Sequence, residues 1–528
     1  MDNSINSREK TYFTYSDDKK DKLMTELKQI RFSSAAITVY RSVRNDRLVR
    51  DIGALLFMLG SDQPDLLGII DMYSSVGQRL FSAASGLKEY IIDKILFTET
   101  SFSRAAEFDG AGCLSGAMEA AVRSDLAHLQ KLASTRPEFI KDLLLCLCGD
   151  DEVIRQEVMK LPLWADMPDR ESTGAKGAGC EEIHTAAGND DNAVQTIKAC
   201  LLNSGNWSDC AAELAEFHRK NGSGIFARYR AFVWRHVPVY QGYESYEITG
   251  NIPDTGETRN FEQSGTAGGS FVGVASPDPV RFSDLVSYEL ERKDVIENTL
   301  NFLEGLPANN ILLYGDRGTG KSTTVKALVN EYCSRGLRLV EIPKKLLGDF
   351  PLITRQLTGR NQKFILFVDD LAFEDNEENY TALKAALEGG VESKPGNVLI
   401  YATSNRKHLI KERFSDRTGL YSGNADDEVR AADTLQEKLS LSDRFGMTVV
   451  FSSPDKKKYL EIVEGLARAR GIHVERNYLH SEALKWEMQY NGRSPRTARQ
   501  FVDWFEGHLS RLNDTGRGND ADSSKSEP

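Results

Sequence analysis

The run Gly315-Asp316-Arg317-Gly318-Thr319-Gly320-Lys321-Ser322 constrains this chain more than any other, because it joins the apolar run 311–314 to the helix-prone STTVKALVNEY. A GxxxxGK[ST] loop between a strand and a helix is built to hold phosphates. Its glycines let backbone N–H groups turn inward, the helix N-terminus adds its positive end, and the lysine ammonium reaches the outer phosphates. Lys321 is expected on the β- and γ-phosphates and Ser322 on Mg²⁺. Gly315, Asp316, Arg317, Gly318, Thr319, Gly320 and Thr323 complete the cradle. A Gly-rich turn with an exposed lysine is the bland alternative, and the flanking strand and helix argue against it.

Five short apolar runs, 311–314, 337–342, 364–368, 398–402 and 447–451, alternate with segments long enough for helices. Continuous apolar strands spaced by helical crossovers predict a parallel five-stranded sheet covered on both faces, an α/β fold. The third run ends in Asp369-Asp370. A strand end places Asp369 at the carboxyl edge of the sheet, where open α/β folds bind ligands and a carboxylate can hold Mg²⁺ through its waters. Asp370 has two readings at this point, a water-activating carboxylate or an exposed charge capping the next segment.

These motifs together resemble the AAA+ ATPases, and further residues extend the resemblance. Asn405, in TSNR after the fourth run, falls where the family's first sensor orients the attacking water. Arg444, in LSLSDRFG before the fifth, falls at the arginine finger that reaches a neighbouring subunit. Arg496 follows Ser494-Pro495, a pair that predicts a helix start with Ser as N-cap. The resemblance makes it the lid's second sensor, with Arg493 and Arg499 as rivals. Leu285 and Val286 would pack on adenine, with Ser287 in place of the family's usual Gly. Asp370 stands where many members carry a water-polarising Glu; Glu374 is a weaker substitute.

The stretches PANNILLYGDRGTGKS, FILFVDDLAFE, YATSNRKHL, EKLSLSDRFG and RTARQFVDW resemble, more narrowly, a bacterial family of AAA+ ATP-binding proteins, number eight-fifteen among the domains of unknown function. That resemblance covers roughly residues 205–507. It implies a helical lid after the sheet, bound ATP and Mg²⁺, hydrolysis by in-line water attack, and a homo-oligomer acting on a protein or nucleic-acid client. A nucleotide-dependent switch with negligible turnover is the alternative, and a nucleic-acid remodelling or loader ATPase is another. Phe350, after the second run, is the one candidate for the pore aromatic of a protein-remodelling motor, and packing of an apolar loop residue is the favoured reading for it.

The remainder of the chain is helical or polar. Residues 1–22 read as a disordered arm and 23–165 as a helical region, with Leu66, Ile69, Ile70, Tyr73, Val76 and Leu80 on one face. Residues 166–194 read as a linker, 195–246 as a second helical segment, and 247–277 as a Gly/Ser/Thr-rich flexible segment. The α/β core follows at 278–454, the lid at 455–507 and a polar tail at 508–528, while 415–436 reads as a polar loop.

The net charge of −12 argues against wholesale coating of a polyanion. Residues 281–506 are nevertheless close to neutral, so the acidity belongs to the N-terminal half and the tails. Seven irregularly spaced cysteines make no disulfide framework, and the close pair Cys146 and Cys148 reads as core thiols. With no apolar signal core and no membrane-length apolar run, a cytoplasmic setting without membrane insertion is expected.

Overall fold

A computed structural model describes residues 17–109, 115–149, 151–164, 189–236, 269–371, 383–384, 386–387, 395–405, 444–490 and 492–520. The chain divides into two compact units, one holding residues up to Arg228 and one holding Tyr229 onward, apart from short exchanges within 183–190.

The first unit is helical: α1 (Asp17–Ala36), α2 (Arg47–Leu59), α3 (Leu66–Ala83), α4 (Leu87–Phe97), α5 (Ser101–Asp109), α6 (Gly116–Ala133), α7 (Pro137–Leu147), α8 (Glu152–Lys160), α9 (Asn189–Asn203) and α10 (Ala211–Asn221). Of the face read on α3, Ile69, Tyr73, Val76 and Leu80 are buried. Asp46 starts α2 by accepting from the amides of Leu48 and Val49, the N-cap role its short acceptor side chain suits. Asp125, 1% exposed, accepts from the amides of Thr38, Val39 and Tyr40, so one carboxylate satisfies a loop that would otherwise bury three free donors.

Two sequence boundaries shift here. Residues 17–22, assigned to the arm, form the first turns of α1. Helices α9 and α10, read as part of a separate segment, contribute Ile197, Leu201, Leu214 and Phe217 to the same core as the earlier helices, because their apolar faces are completed there.

The second unit is an α/β layer structure. Its strands are β1 (Ala231–His236), β2 (Gly269–Gly273), β3 (Ile311–Gly315), β4 (Leu337–Glu341), β5 (Lys363–Val368), β6 (Val398–Ser404) and β7 (Met447–Phe451), in the order β2-β1-β4-β5-β6-β3-β7. The five expected strands are all present and parallel. Beyond them, β1 pairs parallel to β4 and β2 pairs antiparallel to β1, making seven. Both additions came from segments read as helical or flexible. Phe232, Trp234 and Phe271 supply an aromatic surface that rewards strand pairing, and glycines at 269 and 273 admit the rings of Trp234 and Tyr229.

Helices α11 (Glu289–Leu303), α12 (Lys321–Tyr332) and α13 (Phe350–Leu357) lie between strands in the sequence, and α14 (Lys456–Ala469), α15 (Arg476–Gln489) and α16 (Pro495–Asp520) follow the last strand, in the segment the resemblance expects as the lid. Tyr459, Ile462, Val463, Ala498, Phe501 and Phe505 lock the lid helices to the same core as β3. Gly471, at φ +68, ends α14 in the left-handed conformation that suits glycine. α16 continues through Asp520, past the point at which the tail was placed.

Candidate functional site

The phosphate loop leaves β3 and enters α12 as its sequence requires. Gly315 has φ +140, and a Cβ there would lie 2.0 Å from the Phe451 carbonyl oxygen, so only glycine lets β3 and β7 approach this closely. Gly318 has φ +76 and lies under the lid: a Cβ would sit 3.0 Å from Cβ of Arg496, whose amide donates to the Gly318 carbonyl at 3.2 Å. Thr319 Oγ1 donates to the Asp316 carbonyl and Thr324 Oγ1 to that of Gly320, closing the loop on itself.

Lys321 is 6% exposed and donates from Nζ to the carbonyls of Gly315 (2.9 Å) and Asp316 (2.7 Å) and to Asn405 Oδ1 (3.1 Å). Burial holds its pKa below the usual lysine value, with Asp316, Asp369 and Asp370 pulling the other way. The ammonium is thus folded back into its own loop, within reach of a phosphate that would replace these carbonyls.

Asp369 and Asp370 end β5 beside β6. Asp369 Oδ1 accepts from Ser322 Oγ (2.6 Å) and Thr403 Oγ1 (2.6 Å). Ser322 and Asp369, expected together on Mg²⁺, therefore touch directly. A hydroxyl and a carboxylate are hard oxygen donors of the type Mg²⁺ takes, so the residues fit that ion. Asp370 has φ +51, a left-handed conformation rare for a residue with a side chain. Its amide donates to Thr403 Oγ1 at 2.8 Å, and its carboxylate accepts from Asn405 Nδ2 at 2.5 Å and lies 3.5 Å from Lys344 Nζ.

The remaining candidates divide by position. Asp316 accepts from the amide of Ser453 at 3.1 Å, and hydrogen bonding to Ser453 holds its carboxyl below the usual range, so this side chain braces the loop against the chain after β7. Arg317 is exposed and Thr323 is half-buried at the start of α12. Ser494 caps α16 by accepting from the Thr497 amide at 3.0 Å, as the Ser-Pro pair predicts, and this cap sets Arg496 against the phosphate loop. Arg493 instead pairs with Glu487 at 2.9 Å. Arg444 lies a short way before β7, separated from it by Phe445 and Gly446; β7 is the edge strand on that side, and Arg444 is half-buried.

Leu285 and Val286 are half-buried beside a turn in which Ser287 and Tyr288 both have positive φ, +67 and +65. The first is the position where the resemblance expects Gly, and its backbone explains that preference. The turn is held by Tyr288, which stacks on Phe451 and donates from its hydroxyl to the Ser452 carbonyl at 2.6 Å. Val286 fills the notch at Gly465 of α14, tying the proposed adenine contact to the lid.

Sequence reasoning missed two participants. Thr403 links Asp369 and Asp370, and its place beside Asn405 at the end of β6 was the available signal. Lys344, first of the residues after Pro343 at the end of β4, carried no signal beyond its charge. The pore-aromatic alternative fails for Phe350, which is 1% exposed at the start of α13. Glu374 and residues 415–436 lie outside the described residues.

A glycine-bent phosphate loop, a buried lysine, a hydroxyl paired with a strand-end aspartate and a following polar triad define a P-loop ATPase-like site of the AAA class. Residues 256–509 match the model of the family described as "Protein of unknown function (DUF815)". Distant relatives are AAA ATPases. A 26S proteasome regulatory subunit homolog of Methanocaldococcus jannaschii is 27% identical over 241 residues, 40% of this chain and 63% of that protein. A spastin homolog of Brugia malayi is 26% identical over 203 residues, 33% of this chain and 45% of the relative. The chain thus spans less than two thirds of either relative. Among solved structures, the RuvB Holliday junction branch migration motor of Thermotoga maritima aligns over 44% of this chain and 66% of its own, at 16% identity and a TM-score of 0.32. No helix among the described residues is long and apolar enough to cross a membrane.

Proposed function

We propose that the second unit binds ATP with Mg²⁺ between the phosphate loop and the lid and hydrolyses it by in-line attack of water. The observation that carries this reading is the chain of contacts from Lys321 through Asn405 to Asp370, set beside Ser322 and Asp369. It brings the groups expected on the phosphates, the metal and the water to one end of the parallel sheet. Mg²⁺, when bound, would draw charge from the phosphate oxygens. Lys321 would exchange its two carbonyl partners for the outer phosphates, and Asn405 would keep the nucleophilic water in line. Asp370 would accept its proton, and Arg496 would add positive charge from the lid.

Arg444, on the edge side of the sheet, is assigned to a neighbouring copy's nucleotide, which makes the working form a homo-oligomer. Its client is a protein or a nucleic acid. The experiment is ATP binding and phosphate release by the whole chain beside a Lys321→Ala control, which should lose binding. ATP bound without release above that control would remove the enzyme reading.

One observation favours the second reading, a nucleotide-dependent switch with very slow turnover. Asp370, the candidate base, is engaged by both Asn405 and Lys344. Light scattering with and without a slowly hydrolysed ATP analogue tests the oligomer, and a monomer in both conditions would overturn the role given to Arg444.

A further inference from the structure

The helical unit carries a thiol pair remote in sequence from every motif above. Cys200, in the last turns of α9, and Cys210, buried at the residue that caps α10, place their sulfurs 3.4 Å apart in thiol–thiol contact. The Cys210 thiol also faces the Cys200 carbonyl oxygen at 3.9 Å. Between them the chain makes a tight loop around a fully buried Trp207, whose Nε1 donates to the Leu201 carbonyl at 2.7 Å and whose amide donates to Gln130 Oε1 at 3.0 Å. The loop is fixed from inside by the indole, so the two sulfurs are held together by a packed element. A disulfide needs sulfurs about 2.05 Å apart, so a short approach from the 3.4 Å contact would form one.

We propose that Cys200 and Cys210 are an oxidisable pair that closes to an intrachain disulfide, pinning the end of α9 to the start of α10. Cys200 is the half-buried member and Cys210 the buried one, so peroxide reaches Cys200 first. The Cys200 sulfur attacks the peroxide O–O bond, becomes a sulfenic acid and releases one water. The Cys210 sulfur then attacks that sulfenic sulfur, the S–S bond forms, and the hydroxyl leaves as a second water. Two thiols lose two electrons and two hydrogens, and one peroxide is reduced to two waters. Burial, then the hydrogen bond with Cys210, pushes the Cys200 thiol up to about 11, so little thiolate is present near neutral pH and oxidation of the pair is slow there and speeds up as pH rises.

The two cysteines fall in a single tryptic peptide, 199–219, with no Lys or Arg between them. The reduced full chain is treated with hydrogen peroxide, its remaining thiols are alkylated, and the digest is weighed. The expected result is that peptide lighter by two hydrogens, carrying no alkyl group, and restored to the dialkylated form by dithiothreitol. Cys210→Ser should give no such loss and leave Cys200 as a sulfenic acid that dimedone traps. The wild-type digest is decisive even should the variant fold poorly. Both cysteines still alkylated after peroxide has oxidised other thiols of the chain would overturn the proposal, as would Cys200 joined to a second copy on a non-reducing gel.

Discussion

Asn405 donates from Nδ2 to the Asp370 carboxylate at 2.5 Å while its Oδ1 accepts from the Lys321 ammonium at 3.1 Å. The two contacts fix which way the amide faces, because an ammonium has no acceptor and a carboxylate no donor. In the mechanism proposed above, a residue bridging Lys321 and Asp370 would couple nucleotide occupancy to the position of the base. Asp370→Asn should therefore keep ATP binding within a few-fold and lower phosphate release by roughly 100-fold or more, the scale of a lost general base. Unchanged release would pass the proton to another group. Asn405→Ala should lower release by a comparable factor with binding retained, measured on the same preparations.

Lys344 and Asp370 form the second tie on that carboxylate, at 3.5 Å with both side chains substantially exposed. An exposed ion pair of this kind is worth about 0.2–1 kcal/mol, so its removal changes a rate by no more than about fivefold. Freed from Lys344, Asp370 should meet water more readily. Lys344→Ala is expected to raise phosphate release a few-fold at low salt, with the gain shrinking as salt screens the pair in the wild type. A lower rate in the variant would instead make Lys344 a positive contributor.

The lid arginines separate on their partners. Arg493 is engaged by Glu487, whereas the Arg496 backbone rests on Gly318. Arg496→Ala should weaken ATP binding by roughly 10-fold or more, the value of a charge-assisted contact, and leave ADP binding closer to normal. Arg493→Ala should act mainly on lid stability, read as a lower melting temperature with little change in nucleotide preference. Reversed phenotypes would exchange the two assignments.

What the sequence disclosed and what it withheld follow from how local each feature is. The phosphate loop, Asp369 and the Ser494 cap are encoded in contiguous residues whose chemistry demands one geometry. The five core strands announce themselves as continuous apolar runs because both of their faces are covered. β1 and β2 did not, since AFVWRH abuts helical patterning and GSFVG lies in a glycine-rich tract. Their pairing depends on aromatic contacts between residues far apart in the chain. Lys344 was hidden for the same reason, its only relevant partner being at the end of a different strand. Asp125 on α6 lies in no motif, and its burial under three amides depends on α6 meeting the loop after α1.

His218 gives the helical unit a pH dependence. It is fully buried on α10, packed edge-on against Phe102 and Phe217, and Nδ1 shares a hydrogen bond with the Gly222 carbonyl at 3.0 Å. A carbonyl can only accept, so Nδ1 carries the proton and the neutral ring leaves Nε2 without a partner. Burial lowers its pKa from 6.5 to about 4, the Gly222 bond pulling upward more weakly. Between these values the unfolded chain binds a proton that the folded chain refuses, so stability rises with pH through this window. The contribution is complete above about pH 6.5 and is lost as pH falls toward 4, roughly 3 kcal/mol in all. Chemical denaturation of the full chain, followed by a probe in the helical unit, should show that slope between pH 7 and 4.5. His218→Phe removes the titration and the Gly222 bond together, so it should start less stable at pH 7 and show a shallower decline. An undiminished slope in the variant would move the titration to other groups.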